Sequence, residues 1–282
     1  MVMGWDDHES TNDSYVDGAE NHQPDTEGDW QGRKGAAMRA YREWLPVSDE
    51  PWARYEIGDL ATMFRLETRL IARSQPPSLT EMLKGATSRD EMIARLTAFR
   101  EGSYADPART VLGDAQEQWL ADGLNSSRRS GRTWQVLAQQ VVMGGLTSPA
   151  EVVEGLAGQS PDWLRERLIA AAAASRAGLP ANMDAWDGYP AARERLLAAA
   201  READANLVTL TGDTHNAWAF QLEHAGEAAG IEFAGQSVTS PGFESYLTAI
   251  APADLSQAMV GRNPQLRWAE TSRRGYMAVE LT

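Results

Sequence analysis

The last third of the chain alternates between helix-like and strand-like patterns, and this alternation most constrains the fold. Apolar residues recur at helical spacing over 191–203, and an apolar run from Leu207 to Thr211 then predicts a strand. A turn at Gly212-Asp213 follows it. Further on, we expect a helix over 216–224 and strands over 231–234 and 276–281. Strands interleaved with helices are typical of a layered α/β fold. We expect one domain spanning residues 1–282, because no repeat or proline-rich linker divides the chain.

The first two thirds carry weaker versions of the same signals. Residues 1–28 are polar and predict a long loop that follows a strand end at Val2-Met3. The periodicity predicts helices over 29–45, 88–99, 115–124 and 161–174, and strands over 55–57, 61–66 and 133–142. Ser88 with Glu91, and Ser160 before Pro161, fit helix starts. Six tryptophans are expected in the core: Trp30, Trp44, Trp119, Trp134, Trp163 and Trp268.

Charge and composition exclude several classes of protein. The chain has 40 acidic and 26 basic residues, for a net charge of -14. Nucleic-acid binding by broad electrostatics is therefore not expected, because phosphate contacts need a basic face. The absence of cysteine excludes disulfides, zinc-thiolate sites and cysteine nucleophiles. We find no apolar stretch long enough for a transmembrane helix and no signal peptide, since the chain turns acidic by Asp6.

Two of the four histidines lie in tight clusters with aspartate, at Trp5-Asp6-Asp7-His8-Glu9 and at Gly212-Asp213-Thr214-His215. The second cluster directly follows the strand predicted at 207–211, where ligands in α/β sheets bind. Carboxylate oxygens with an imidazole suit Mn, Fe, Ca or Zn. For either cluster alone, a solvated loop is the alternative. The occurrence of both in a chain with so few histidines favours a metal site.

The order of motifs along the whole chain resembles the PhoD-like alkaline phosphatase family of metallophosphoesterases. Trp5 to Glu9 resembles the family's WDDHE motif, and Thr211 to His215 is similar to its TGDxH motif. Residues 64–69 resemble its LDTR strand, with Glu67 where aspartate is usual. Further matching segments are 18–22, 33–46, 112–120, 186–195, 237–242 and 273–276.

This resemblance implies a metallophosphatase-like β-sandwich flanked by helices, and metal-dependent hydrolysis of phosphomonoesters or phosphodiesters. It implies divalent or trivalent metal ions, either Ca, Fe, Mn or Zn, which would activate a water and hold the phosphoryl oxygens. The matching positions give metal ligands at Asp7, Asp213 and His215, and Asp6 either as a further ligand or as a support for the ligands. His8 would stabilise charge or protonate the leaving oxygen. Arg69 is a candidate phosphate clamp, with a structural salt bridge as the alternative.

The chain departs from the family pattern at its start. Family members carry an upstream segment that holds the first strands and further metal ligands, whereas WDDHE here begins at residue 5. We therefore expect the C-terminal portion of the family domain, lacking its first strands. Two hypotheses follow: a PhoD-type phosphatase that acts on a phosphate ester, or a non-catalytic member that binds at most one cation or pairs with another chain. The resemblance implies a periplasmic or secreted location, and the oligomeric state stays open.

Overall fold

The computed structural model describes residues 2–282. It contains seven strands: β1 Ala53–Ile57, β2 Ala61–Arg65, β3 Trp134–Ala138, β4 Leu207–Thr211, β5 Ala217–His224, β6 Glu227–Ala234 and β7 Leu266–Glu270. The α-helices are α1 Pro24–Glu27, α2 Trp30–Trp44, α3 Leu79–Leu83, α4 Arg89–Glu101, α5 Gly113–Arg129, α6 Ala150–Ala157, α7 Asp162–Arg176, α8 Pro190–Glu202, α9 Phe243–Tyr246 and α10 Pro252–Arg262. These elements confirm the predicted α/β fold.

The seven strands form one mixed sheet in the order β1-β2-β3-β4-β6-β5-β7. The central strands β2, β3, β4 and β6 are parallel, whereas β1, β5 and β7 pair antiparallel at the two edges. The carboxyl ends of β2, β3 and β4 consequently lie side by side at one edge of the sheet. Within residues 2–282 this is the one sheet, and helices flank it.

The main core lies where helices cover the sheet. Phe64, Leu137, Phe220 and Leu222 are buried there together with side chains of the helices α5, α6, α7 and α8. Close packing is visible at Gly123 of α5, where an added Cβ would lie 2.5 Å from a ring carbon of Phe64. Helix α5 is thus held directly against β2, which fixes the position of the loop that leaves β2.

Local signals explain most of the helix starts. The Asp29 side chain accepts a hydrogen bond from the Gly32 amide at 2.8 Å at the start of α2. The Ser88 hydroxyl accepts one from the Glu91 amide at 3.2 Å at the start of α4. Each bond satisfies an amide that has no partner within its helix. The predicted helices near 29–45, 88–99, 115–124, 161–174 and 191–203 are confirmed.

Two secondary-structure predictions are wrong. Residues 216–224 form strand β5 rather than a helix, and Trp218, Phe220 and Leu222 alternate toward the core as a strand requires. Residues 276–281 are coil, and Tyr276 is 86% exposed. That segment has strand-forming residues, but no strand of the described sheet pairs with it.

Smaller predictions also fail. No strand forms at Val2-Met3. Ser160 does not cap α7; its hydroxyl donates instead to the Leu156 carbonyl at 2.9 Å. Trp44, Trp163 and Trp268 are exposed, whereas Trp30 is buried as predicted. No helix within residues 2–282 combines the length and apolar character needed to cross a membrane.

Candidate metal centre

Two chain segments meet at the edge where the parallel strands end. The turn that carries Asp213 follows β4 directly, and its Gly212 amide donates to the Gln140 carbonyl beyond β3 at 2.9 Å. The N-terminal loop reaches the same edge, because the buried Trp5 indole donates to Glu67 Oε1, beyond β2, at 2.9 Å. The two motifs at opposite ends of the sequence therefore converge in space.

The carboxylates of Asp6, Asp7 and Asp213 form an acidic cluster. One oxygen from each lies within 4.8 Å of the others, a spacing that one metal ion can bridge. Asp7 is buried, and its carboxylate accepts the His8 amide at 2.8 Å and the Asp13 amide at 3.1 Å. Two backbone donors thus hold this carboxylate in place.

Arg69 binds across the acidic cluster. Its guanidinium is fully buried and donates from Nε to Asp6 at 2.9 Å and from Nη2 to Asp213 at 3.1 Å. Its third nitrogen, Nη1, donates to Asp184 at 2.6 Å. An arginine side chain carries five N–H donors, so these contacts leave two donors for a further acceptor. The predicted salt bridge exists, and the Arg69 side chain has no solvent-exposed surface.

A second buried arginine stands behind the first. Arg73 Nη2 donates to Asp184 Oδ1 at 2.8 Å, while Arg69 holds Oδ2 of the same carboxylate. Arg73 Nε donates to the Tyr189 hydroxyl at 3.1 Å. Asp184 is therefore shared between two arginines, one facing the acidic cluster and one facing the core.

The loop that carries Arg69 is shaped by Glu67. Its Oε1 accepts the backbone amides of Arg69 at 2.8 Å and Leu70 at 2.7 Å, and its Oε2 accepts that of Ile71 at 2.9 Å. Because three consecutive backbone amides of the loop bind one carboxylate, the backbone at Arg69 has little conformational freedom. The acidic residue of the LDTR-like motif acts here as an anchor for the loop.

Backbone strain concentrates around the acidic cluster. Asp13, Asp213 and His215 have φ values of 49°, 65° and 56°, in the left-handed region that side-chain-bearing residues rarely adopt. Such conformations cost on the order of 1–3 kcal/mol each and are retained where the surroundings impose them. The surrounding structure thus holds the turn after β4 in a strained backbone conformation.

Burial raises the pKa of Asp6 and raises that of Asp213 well above its usual range, although Arg69 opposes both shifts. Burial together with the Asp184 charge raises the pKa of Asp13 to about 7. Burial also acts on Asp184, but Arg73 and Arg69 outweigh it and lower its pKa. Five aspartates thus face two arginines, an excess of negative charge that a bound cation would balance.

The two histidines of the motifs differ in their contacts. His215 follows Asp213 by two positions, and its Nδ1 lies 3.0 Å from the Pro241 carbonyl. That contact leaves Nε2 available, as in histidines that bind metal while a carbonyl holds the other ring nitrogen. The His8 side chain is 75% exposed, and its Nε2 lies 3.8 Å from Asp7 Oδ2. Among residues 2–282 the structure groups Asp6, Asp7 and Asp213 as candidate ligands, without His215.

Sequence reasoning missed Asp184 and Arg73. Asp184 is 115 positions from Arg69 and stands in no histidine-containing cluster. The available signal was the segment that resembles the family at 186–195, which begins two residues after Asp184.

Comparison with known proteins decides the family. The sequence profile of the PhoD-like phosphatase family matches residues 1–282. The chain belongs to the PhoD-like phosphatase family. It is similar to alkaline phosphatase D of Bacillus subtilis strain 168, at 29% identity over 296 aligned positions that cover all of this chain and 42% of the relative. It is also similar to a solved structure described as the structure of PhoD, with a TM-score of 0.64 and 28% identity, over 98% of this chain and 46% of that one.

The chain therefore spans less than half the length of these PhoD relatives. The resemblance to the family is confirmed.

Proposed function

We propose that the chain is a metal-dependent phosphatase that hydrolyses phosphomonoesters or phosphodiesters. The observation that carries this proposal is the convergence of Asp6, Asp7 and Asp213 with Arg69 at the carboxyl edge of the sheet. An acidic cluster beside a buried arginine combines a place for a cation with donors for phosphate oxygens. The family membership of the whole chain supports the same reaction class.

Asp6, Asp7 and Asp213 would hold the metal, and His215 Nε2 would complete the set. Oxygen-rich sites suit Ca and Mn, and an added imidazole also suits Fe and Zn. A bound metal supplies charge neutralisation and a more acidic water. The excess of carboxylates over arginines, and the carboxylate oxygens grouped within 4.8 Å, fit such an ion.

Arg69 and His8 would act on the substrate. The two N–H donors that Arg69 does not use on aspartates would bind phosphoryl oxygens and orient the ester. His8 is exposed and next to Asp7, where its ring would donate a proton to the leaving oxygen as the phosphorus–oxygen bond breaks. His8→Gln should then lower hydrolysis of an ester with a poor leaving group, such as a methyl ester, more than that of p-nitrophenyl phosphate, whose leaving oxygen needs no proton.

The direct test combines metal analysis with an assay on p-nitrophenyl phosphate and bis-p-nitrophenyl phosphate. We expect metal-dependent hydrolysis that is lost in Asp213→Ala and His215→Ala, while circular dichroism shows both variants folded. Folded protein that binds Mn²⁺ but hydrolyses neither ester would overturn the proposal in favour of the cation-binding, non-catalytic alternative. Cell fractionation tests the periplasmic or secreted location that the family resemblance implies.

A further inference from the structure

Arg73 is a fully buried cation that the chemistry proposed above does not use. Its contacts are the Tyr189 hydroxyl, the Thr68 carbonyl at 3.0 Å, and the Asp184 carboxylate and carbonyl. Burying a charge is costly unless it is paired and hydrogen-bonded. Two of these contacts go to Asp184, whose carboxylate also binds Arg69, so the two arginines connect the core to the acidic cluster.

Three carboxylates compete for the guanidinium of Arg69. Asp184 approaches Nη1 at 2.6 Å, closer than Asp6 at Nε or Asp213 at Nη2. An arginine and an isolated carboxylate favour a two-bond fork in which both oxygens face the same guanidinium. In that geometry Arg69 would turn toward Asp184 and leave the other two aspartates.

Arg73 prevents that fork by occupying the other oxygen. Asp184 Oδ1 binds Arg73 at 2.8 Å and Oδ2 binds Arg69, so each arginine receives one oxygen. We propose that Arg73 is a positioning residue, which acts through Asp184 to hold the Arg69 guanidinium between Asp6 and Asp213. This inference rests on the proposed function for the role of Arg69 toward phosphate.

The first measurement follows the guanidinium itself. In ¹H–¹⁵N spectra of arginine side chains, with Arg69 Hε assigned by Arg69→Lys, the Hε of the wild-type protein should exchange slowly with water because it is bonded to buried Asp6. We expect exchange at least about tenfold faster in Arg73→Met. Arg73→Lys keeps the positive charge but lacks the planar guanidinium group, and it should give an intermediate exchange rate.

Arg109 offers a matched control. It lies over the same Tyr189 ring, 4.7 Å from the centroid, but donates to the carbonyls of Gly188 and Gln75 and not to Asp184. Arg109→Met should leave Arg69 Hε exchange unchanged. Unchanged exchange in folded Arg73→Met or, where that variant fails to fold, in Arg73→Lys would overturn the proposal. So would equally fast exchange in Arg109→Met, since a loss common to both arginines indicates general loosening.

The second measurement is the affinity of the Mn²⁺-loaded protein for inorganic phosphate. Arg73→Met and Arg69→Lys should each weaken it about tenfold, and the double variant should be no weaker than Arg69→Lys alone. Additive losses would mean that Arg73 acts independently of Arg69 and would overturn the proposal. If the wild-type protein neither binds phosphate nor hydrolyses esters, the proposed function fails, while the exchange rates still decide whether Arg73 positions Arg69.

Discussion

Burial raises the pKa of two carboxyl groups in this molecule, Glu232 and Asp213, but the two groups have different surroundings. Glu232 in β6 is fully buried, and burial raises its pKa to about 7. Its oxygens accept the backbone amides of Met143 at 2.8 Å and Gly144 at 2.6 Å. Burial also raises the pKa of Asp213, but this residue shares an arginine with other acids, and its side chain is 17% exposed.

The difference shows what distinguishes a candidate site from a structural acid. Glu232 holds the chain beyond β3 by accepting hydrogen bonds from main-chain amides. Asp213 lies among like charges that repel one another, in a strained turn that solvent can reach. A perturbed pKa is common to both, so the convergence of several acids on one accessible point is the feature that indicates cation chemistry.

The largest expected contrast is in hydrolysis. Asp213→Asn should lower the kcat of p-nitrophenyl phosphate hydrolysis roughly 10²–10³-fold, because it removes one charge that would hold the cation. Glu232→Gln should leave kcat within about threefold, since its role is structural. Steady-state rates at saturating Mn²⁺ check both. Equal losses in the two variants would contradict the distinction.

The second contrast is in the pH dependence of stability. The folded protein raises the pKa of Glu232 from 4.5 to about 7. The protonated Glu232 therefore contributes its full share of the free energy of unfolding below pH 4.5, and this share is lost as pH rises through 7. The amount is about 3 kcal/mol. Glu232→Gln should remove that part of the slope. Urea unfolding of both proteins at pH 5 and pH 8 measures it, and parallel slopes would refute the assignment.

The third contrast is in stabilisation by metal. Mn²⁺ at 100 times its dissociation constant should stabilise the wild-type protein by about 2.7 kcal/mol. Glu232→Gln should show the same gain and Asp213→Asn a smaller one. Thermal unfolding with and without Mn²⁺ is the measurement. A full gain in Asp213→Asn would place the cation elsewhere.

The smallest effect concerns Arg193, whose positive charge lowers the pKa of Glu232 against the effect of burial. Arg193→Gln should raise that pKa further and move the midpoint of the pH-dependent stability upward. Urea unfolding at several pH values between 4 and 9 measures the midpoint. Arg193 also binds the Met143 carbonyl, so its loss also frees the backbone amides that bind Glu232. A downward movement of the midpoint would show that the effect of these amides on the pKa dominates.

Much of the fold was predictable because its signals are local. Helix α2 follows from its apolar spacing and its Asp29 cap, and β4 follows from an apolar run that ends at a Gly-Asp turn. The helix predicted over 216–224 is wrong because Trp218, Phe220 and Leu222 repeat with a period of two, as in strand β5. Residues 276–281 lack a strand because pairing depends on a neighbour, which composition does not specify.

The candidate centre was predictable only in part. Asp6, Asp7 and Asp213 stand in recognisable clusters, and the structure brings them together. The arginine pair was not predictable as a unit, because Arg73 and Asp184 meet across 111 positions and neither belongs to a histidine cluster. Which residues share a carboxylate is decided by tertiary packing.

The contacts of Arg69 join residues separated by 63, 115 and 144 positions along the chain. Closing such long loops is slow and costs entropy that only the finished tertiary structure recovers. Partly folded forms would therefore contain the acidic side chains without their assembled arrangement. Uptake of the proposed cation would then serve as an assay for complete folding, one that distinguishes native protein from collapsed intermediates with similar helix content.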